Sequence, residues 1–397
     1  MSISRIGEGL ACVPNNKRRE ILKTRLLTPG PTPLPEEVRL SQARQILHHR
    51  TKEFGEVFEE VCEGLKYVFQ TQNEVLVFTA SGTGAMEAVV VNLLSSGDEV
   101  LVVRGGKFGE RWAEIGTSFG VRVIPLDIEW GNTVDPHLIE DSLVQNPRIK
   151  AVFTQLVETS TGVLYDIKNI AKVVKKTDAI LVVDAISGLG AEAFFMDEWE
   201  VDVAVGGSQK ALMLPPGLSF VALSEKAWRF VENSSLPKYY WDFRKAKNSL
   251  TKRQTPYTPA VSLICALRES IRLIRKEGWH NILRRHARLA EATRKAALAL
   301  GLDIFAQTPS NALTVIKVPS GIDADRLRRI MRDKYGVQVA GGQGRLLGKV
   351  IRIAHLGWTD SLDIISTISA LEMALLELGY FLELGKGVRA AEEMLRR

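Results

Sequence analysis

Lys210 closes the run Gly206-Gly207-Ser208-Gln209-Lys210, directly after the apolar stretch Val201-Asp202-Val203-Ala204-Val205. Upstream, Ala179-Ile180-Leu181-Val182-Val183 ends in Asp184. Two apolar runs that stop at polar residues of opposite charge predict neighbouring strands delivering an acid and an amine to one sheet edge. Desolvation lowers a lysine pKa and makes the amine a usable nucleophile and proton shuttle. A carboxylate ending five apolar residues loses water and needs a cationic partner. The rival reading is a metal-holding aspartate of a nucleotide hydrolase, but no Walker A lysine accompanies it. The pair suits pyridoxal phosphate (PLP). The lysine would form a Schiff base with its aldehyde, and the carboxylate would keep the pyridine nitrogen protonated, so that the ring draws electrons from a substrate's α-carbon.

Other positions carry weaker signals. Ser81-Gly82-Thr83-Gly84-Ala85-Met86-Glu87-Ala88 follows a predicted strand and opens a predicted helix. Small residues there let backbone N–H groups approach a phosphate, which the helix dipole favours. The same run fits an ordinary serine N-cap with a tight turn, and it is neither a P-loop nor a dinucleotide fingerprint. Glu158-Thr159-Ser160-Thr161-Gly162 sits past another strand, where its hydroxyls would meet a ring oxygen or simply cap the next helix. Ser208 and Gln209 are placed to donate to a phosphate. Arg352, inside Val350-Ile351-Arg352-Ile353-Ala354, either faces solvent or turns its planar fork inward to grip a carboxylate. His48 and His49 are adjacent, and neighbours in regular structure point apart, so a shared metal ion is not expected. Gly341-Gly342-Gln343-Gly344-Arg345 reads as a flexible turn near the site mouth.

The elements that must position these residues alternate. Strands are predicted at 74–79, 99–103, 121–125, 149–154, 179–184, 201–206 and 218–223. Helices are predicted at 84–94, 108–119, 136–145 and 167–176, after an amphipathic helix at 54–69 whose Phe54, Phe58, Val61, Leu65 and Val68 share a face. Such alternation means a mostly parallel sheet covered on both sides, with ligands bound outside the carboxyl ends of its strands. Leu26 to Pro35 is too rich in proline for helix or central strand and reads as an ordered turn-rich segment crossing the site. Tyr239 to Pro259 is a long basic and aromatic connection. Helices at 262–276 and 280–300 lead to a smaller α/β unit. Its strands are expected at 313–318, 337–340 and 350–353, and its helices at 324–335, 361–378 and 389–397. The expected division is an arm at 1–24, a large unit at 25–280 and a small one at 281–397.

Composition is that of a soluble globular protein: 397 residues, 45% hydrophobic and 25% charged. The net charge of +6 is scattered, which suits solvated faces and attraction for small anionic substrates, not nucleic acid. Cys12, Cys62 and Cys265 lie far apart without a zinc or redox spacing. No apolar run is long enough to span a bilayer, and residues 15–20 lack a signal peptide's apolar core. A cytoplasmic protein without membrane attachment is expected.

Taken together the motifs resemble the class V aminotransferases of the fold-type-I PLP superfamily, in particular the alanine–glyoxylate and serine–pyruvate aminotransferase group. The resemblance runs from Leu26-Leu27-Thr28-Pro29-Gly30-Pro31-Thr32 and His48-His49-Arg50-Thr51 through SGTGAMEA, ETSTG, VVDAISGLG, GGSQKALMLPPG and VIRIAHLG. It implies a seven-stranded, mostly parallel sheet between helices plus a smaller C-terminal α/β domain. It implies Lys210 as the Schiff-base lysine and Asp184 as the pyridinium partner. Ser81, Gly82, Thr83 and Gln209 would contact the phosphate, Thr159 a ring oxygen, and Phe108 the ring face, where the family often has tryptophan. Gly30 and Arg352 would bind the substrate carboxylate. Tyr257 and Thr258 would reach the phosphate of a neighbouring subunit, so a homodimer with composite sites is implied. The reaction implied is ping-pong transfer of an amino group from alanine or serine to glyoxylate or pyruvate, with Lys210 moving the α-proton. Aminoethylphosphonate or aspartate as donor, or a non-catalytic partner subunit, are the alternatives. A cysteine desulfurase would need a mobile cysteine beyond Cys265.

Overall fold

The computed structural model describes residues 22–396. Cys12, Arg397 and all but the end of the expected arm lie outside them. A seven-stranded sheet forms the centre, in the order Val75–Phe78, Ser219–Leu223, Val203–Gly207, Ile180–Asp184, Ile149–Gln155, Glu99–Arg104 and Arg122–Asp127. Ser219–Leu223 pairs antiparallel with both of its neighbours, and the other pairings are parallel.

Alternating side chains explain why these segments are apolar throughout. Leu101, Val103, Leu181 and Val183 enter the core on one face, while Val100, Val102, Ile180 and Val182 enter the core on the other. A strand buried on both faces needs a continuous apolar run, which is what its sequence shows. Helix Lys52–Phe69 covers the first face with Phe54, Phe58, Val61, Leu65 and Val68. Helix Gly82–Leu93 covers the second with Ala85, Met86, Val89 and Val90.

A second, three-stranded antiparallel sheet has Val350–Ala354 between Leu313–Lys317 and Ala340–Gly341. Helices Ala324–Tyr335 and Ser361–Glu377 pack on it through Leu327, Met331, Leu371 and Leu375. The single strand expected at 337–340 is in fact two. Val337–Gln338 pairs with Arg25–Leu26, whereas Ala340–Gly341 pairs with Val350–Ala354. Between them the Val339 carbonyl accepts from Arg328 Nε at 3.3 Å, so a side chain interrupts the ladder. The first described strand thus joins the C-terminal unit.

Three helices were not expected, the first being the short Glu36–Ser41 after the proline-rich segment. Glu225–Asn233 starts at Ser224, whose hydroxyl accepts from Ala227 N–H. Phe243–Leu250 lies within the stretch read as a bare connection. Asp242 caps it, accepting from Arg244 and Lys245 N–H, and Phe243 and Ala246 are buried. The last helix is Lys386–Leu395, beginning three residues before the expected Arg389. Among the described residues no helix is long and apolar enough to cross a membrane.

Ser361–Glu377 opens with a reciprocal cap: Asp360 accepts from Asp363 N–H at 2.9 Å and Asp363 accepts from Asp360 N–H at 3.3 Å. Asp360→Ala should therefore lower the unfolding free energy by ~1 kcal/mol, read from the shift in urea midpoint. An unmoved midpoint would show that the cap contributes nothing.

Candidate active site

The carboxyl ends of the parallel strands converge. Ile180–Asp184 ends in Asp184, and Val203–Gly207 runs through a tight turn into Lys210. The two strands are parallel neighbours, with Asp184 opposite Val205. Ile149–Gln155 leads to the Glu158–Gly162 turn, Glu99–Arg104 to Phe108, and Val75–Phe78 to Ser81. The chain topology, not sequence proximity, gathers them.

Lys210 and Asp184 are both buried. Burial brings the Lys210 pKa down to about 8, with the Arg352 and Arg111 charges adding to the fall and Asp184 opposing it. Burial raises the Asp184 pKa to about 6; the Glu158 charge raises it further, while the Ile186 N–H, Lys210 and Arg111 hold it down. The Asp184 carboxylate accepts from Ile186 N–H at 2.8 Å. Lys210 Nζ donates to the Pro29 carbonyl, and Lys210 O accepts from Thr32 Oγ1 at 3.0 Å. The proline-rich segment does cross the lysine. Gly30 is at its nearest point, with φ +134°, and a Cβ there would lie 2.8 Å from Nζ. Only glycine fits both the backbone and the space.

Ser81 is the N-cap of Gly82–Leu93, yet its side chain caps nothing. Gly82 is buried against Ile186, where a Cβ would come within 2.3 Å of Cδ1. Gln209 Oε1 is buried and has no partner. Ser208 is occupied differently: its hydroxyl donates to Pro215 O at 2.7 Å and accepts from Leu218 N–H at 3.2 Å, which pins the loop after Lys210.

The Glu158–Gly162 turn does more than its hydroxyls suggest. Glu158 is fully buried. Its Oε2 accepts from Phe108 and Gly109 N–H, both at 3.1 Å, and its Oε1 from Ser160 N–H and Oγ at 3.0 and 2.6 Å. It therefore caps helix Lys107–Ser118 from across the chain, because Gly106 at the N-cap has no side chain to do so. A Cβ at Gly106 would strike Glu158 Cδ at 2.3 Å. Burial raises the Glu158 pKa against these bonds. Thr159 Oγ1 donates to Ser187 Oγ at 2.6 Å.

Arg352 points inward, with 6% of its surface exposed, which excludes the solvent-facing reading. Its Nε donates to Gly341 O at 2.7 Å, and its Nη1 to Thr159 O at 3.0 Å and Gln343 Oε1 at 3.3 Å. Burial lowers its pKa to about 10. The 341–345 segment is thus tied to Arg352 and runs from the strand Ala340–Gly341 into the 3-10 turn Gly344–Leu346.

Tyr257 and Thr258 make their contacts elsewhere in the same chain. Tyr257 stacks against Tyr239 and Tyr240, and its hydroxyl donates to Tyr239 O at 3.1 Å. Thr258 Oγ1 lies 3.5 Å from His49 Nε2. His48 and His49 do not point apart: their ring centroids are 4.7 Å from each other, because residues 45–48 adopt neither helix nor strand. Sequence reasoning assigned no role to Glu158 or Arg111. Arg111 is one turn beyond Phe108, and that i,i+3 spacing was its only signal.

Several features fit PLP: the free first turn behind Ser81, the orphaned Gln209 oxygen, the glycine cradle at Lys210, and a buried acid with no ion pair among the described residues. The aminotransferase class-V family profile matches residues 36–353. The soluble hydrogenase 42 kDa subunit of Anabaena cylindrica is 44% identical over 93% of this chain and 98% of its own length. The L-aspartate–glyoxylate aminotransferase of Paracoccus denitrificans is 38% identical over 94% and 96%. The structure of ureidoglycine–glyoxylate aminotransferase from Bacillus subtilis covers 96% of this chain and 100% of its own, with a TM-score of 0.91 at 28% identity. The fold is that of the fold-type-I PLP aminotransferases. The chain belongs to the class-V aminotransferase family, whose members depend on PLP.

The raised Asp184 pKa has a consequence for stability. Its folded value of about 6 exceeds the ordinary 3.8, so the cost of burying the charge is complete above about pH 6 and fades as pH falls towards 3.8. Asp184→Asn in the cofactor-free protein should raise Tm near pH 8, by at most ~3 kcal/mol of stability, and progressively less towards pH 4. A gain of the same size at both ends would trace it to packing, not charge.

Proposed function

We propose that this protein transfers the amino group of a small amino acid, alanine or serine, to glyoxylate or pyruvate. When bound, PLP supplies an aldehyde that binds the amino group and a ring that draws electrons from the α-carbon. Lys210 Nζ would hold the aldehyde in the resting protein. Once the donor replaces it, Nζ takes the α-carbon proton, a role its lowered pKa suits near neutral pH. Asp184 keeps a proton on the ring nitrogen, and that positive charge in turn relieves its own burial. Ser81, Gly82, Thr83 and Gln209 would hold the phosphate, Thr159 the ring oxygen, and Phe108 the ring face. Arg352 and the Gly30 backbone would orient the donor's carboxylate. The second keto acid enters by reversal, giving ping-pong kinetics.

We also read a cytoplasmic homodimer, the phosphate of each site completed by Tyr257 and Thr258 of the partner subunit. Exposed Leu40, Ile46, Tyr239 and Tyr240 support such an interface. Two free thiols, Cys62 and Cys265, suit a reducing compartment. We place the boundary between the larger and smaller units near residue 280, with Arg25–Leu26 reaching across it.

The observation that carries this reading is the burial of Asp184 and Lys210 at the ends of adjacent parallel strands, Lys210 just past the turn after Val203–Gly207. The Paracoccus relative's name keeps aspartate as a donor, and the hydrogenase-subunit relative's name keeps a binding role in view. The purified protein should turn yellow with PLP and bleach with L-alanine or L-serine. A donor panel against glyoxylate and pyruvate, ranked by kcat/KM, should place these two ahead of L-aspartate. Lys210→Ala should abolish turnover. Full turnover by that variant would overturn the mechanism, and wild-type protein that stays colourless would favour the binding role.

A further inference from the structure

We propose that Arg111 is the cationic contact for the cofactor's phosphate, an inference that rests on the PLP reading above. The need arises from charge. A phosphate monoester carries roughly −1.5 to −2 charges at neutral pH. Every residue so far placed around it is neutral: Ser81, Gly82, Thr83, Gln209, and Tyr257 and Thr258 of the partner subunit. The helix N-terminus contributes only about half a positive charge. The Lys210 amine is consumed by the aldehyde, and Asp184 and Glu158 are acids. A partly buried dianion so placed is undercompensated, and leaving such a charge unbalanced is costly.

Arg111 stands where the deficit is. It lies on helix Lys107–Ser118, and its Nη1 donates to Thr83 Oγ1 at 3.2 Å. Thr83 is in the first turn of Gly82–Leu93, the helix whose free N–H groups face the phosphate position. The guanidinium carbon sits 4.7 Å from the Phe108 ring centroid, so one face of the fork is already set. Its charge is felt across the site, since it lowers the pKa of both Asp184 and Lys210.

Two further observations point to an anion. Among the described residues Arg111 forms no ion pair, although Lys107 on the same helix is paired with Glu110. Its hydrogen-bond partner is a neutral hydroxyl, which leaves the other guanidinium nitrogens for a ligand. Moreover its perch is held. Glu158 binds the Phe108 and Gly109 N–H groups, so the first turn of the helix cannot drift from the Glu158–Gly162 turn. Glu158 is thus a positioning residue for Arg111 as well as for Phe108.

The test compares PLP with pyridoxal, which has the same ring and aldehyde but no phosphate. Cofactor-free wild type, Arg111→Gln and Arg111→Lys are titrated with each, following the visible band of the lysine-bound coenzyme. Circular dichroism establishes that each variant is folded. Arg111→Gln should weaken PLP binding about 10- to 100-fold, as loss of a charge-assisted hydrogen bond does. Its affinity for pyridoxal should change less than about 3-fold, and Arg111→Lys should recover part of the PLP affinity. Inorganic phosphate should compete with PLP in the wild type and far less in Arg111→Gln. Equal losses for PLP and pyridoxal, or undiminished PLP binding by Arg111→Gln, would overturn the proposal while leaving the PLP reading intact. Wild-type protein that takes up neither coenzyme would overturn both.

Discussion

A buried acid with no direct ion pair among the described residues sets the terms for this molecule. Asp184 ends a central strand, flanked by Gln155 on one neighbour and Val205 on the other. Its carboxylate accepts from Ile186 N–H and lies close enough to Glu158 to be destabilised by that charge. Such a group persists only where packing over-determines its position. Here the apolar layers on both faces of the sheet supply that packing, through Leu181 and Val183 on one side and Ile180 and Val182 on the other. In the function proposed above, a positive charge on the ring nitrogen of a bound pyridine would relieve the cost of burying Asp184.

The second constraint is the Glu158–Gly162 turn, where three parts of the chain are registered against one another. Glu158 holds the helix that carries Phe108 and Arg111. Thr159 binds Ser187 just beyond Asp184, and its carbonyl takes Arg352 from the smaller sheet. Gly106 and Gly109 exist to let these groups approach. A Cβ at Gly109 would meet the Val103 carbonyl at 2.4 Å and one at Gly106 would meet Glu158. A displacement at this turn would move Phe108, Arg352 and the segment after Asp184 together, so the turn couples parts of the chain that are far apart in sequence.

Much of this was legible from residue pattern because its causes are local. Alternating apolar runs mark strands buried on both faces, and polar residues at their ends mark the ligand edge; Asp184 and Lys210 are where that logic puts them. Glu158 was visible as part of a motif, but its work was not, because the amides it caps lie about fifty positions away (Phe108 and Gly109). The break at Val339 depends on Arg328 reaching a carbonyl, and Phe243–Leu250 looked like connection because its basic residues hid an aspartate cap. Arg352 had two equal readings until its partners, Thr159, Gly341 and Gln343, were in place.

The amino-acid sequence alone determined the layered α/β architecture and the placing of an acid and an amine just past the ends of neighbouring strands. Those follow from periodicity and side-chain type, which act over a few residues. Tertiary structure alone decided which way Arg352 faces, that Glu158 caps the helix carrying Phe108, and that Arg111 stands beside Thr83. Each of these depends on groups far apart in the chain that meet only when strand order brings their loops to the same end of the sheet.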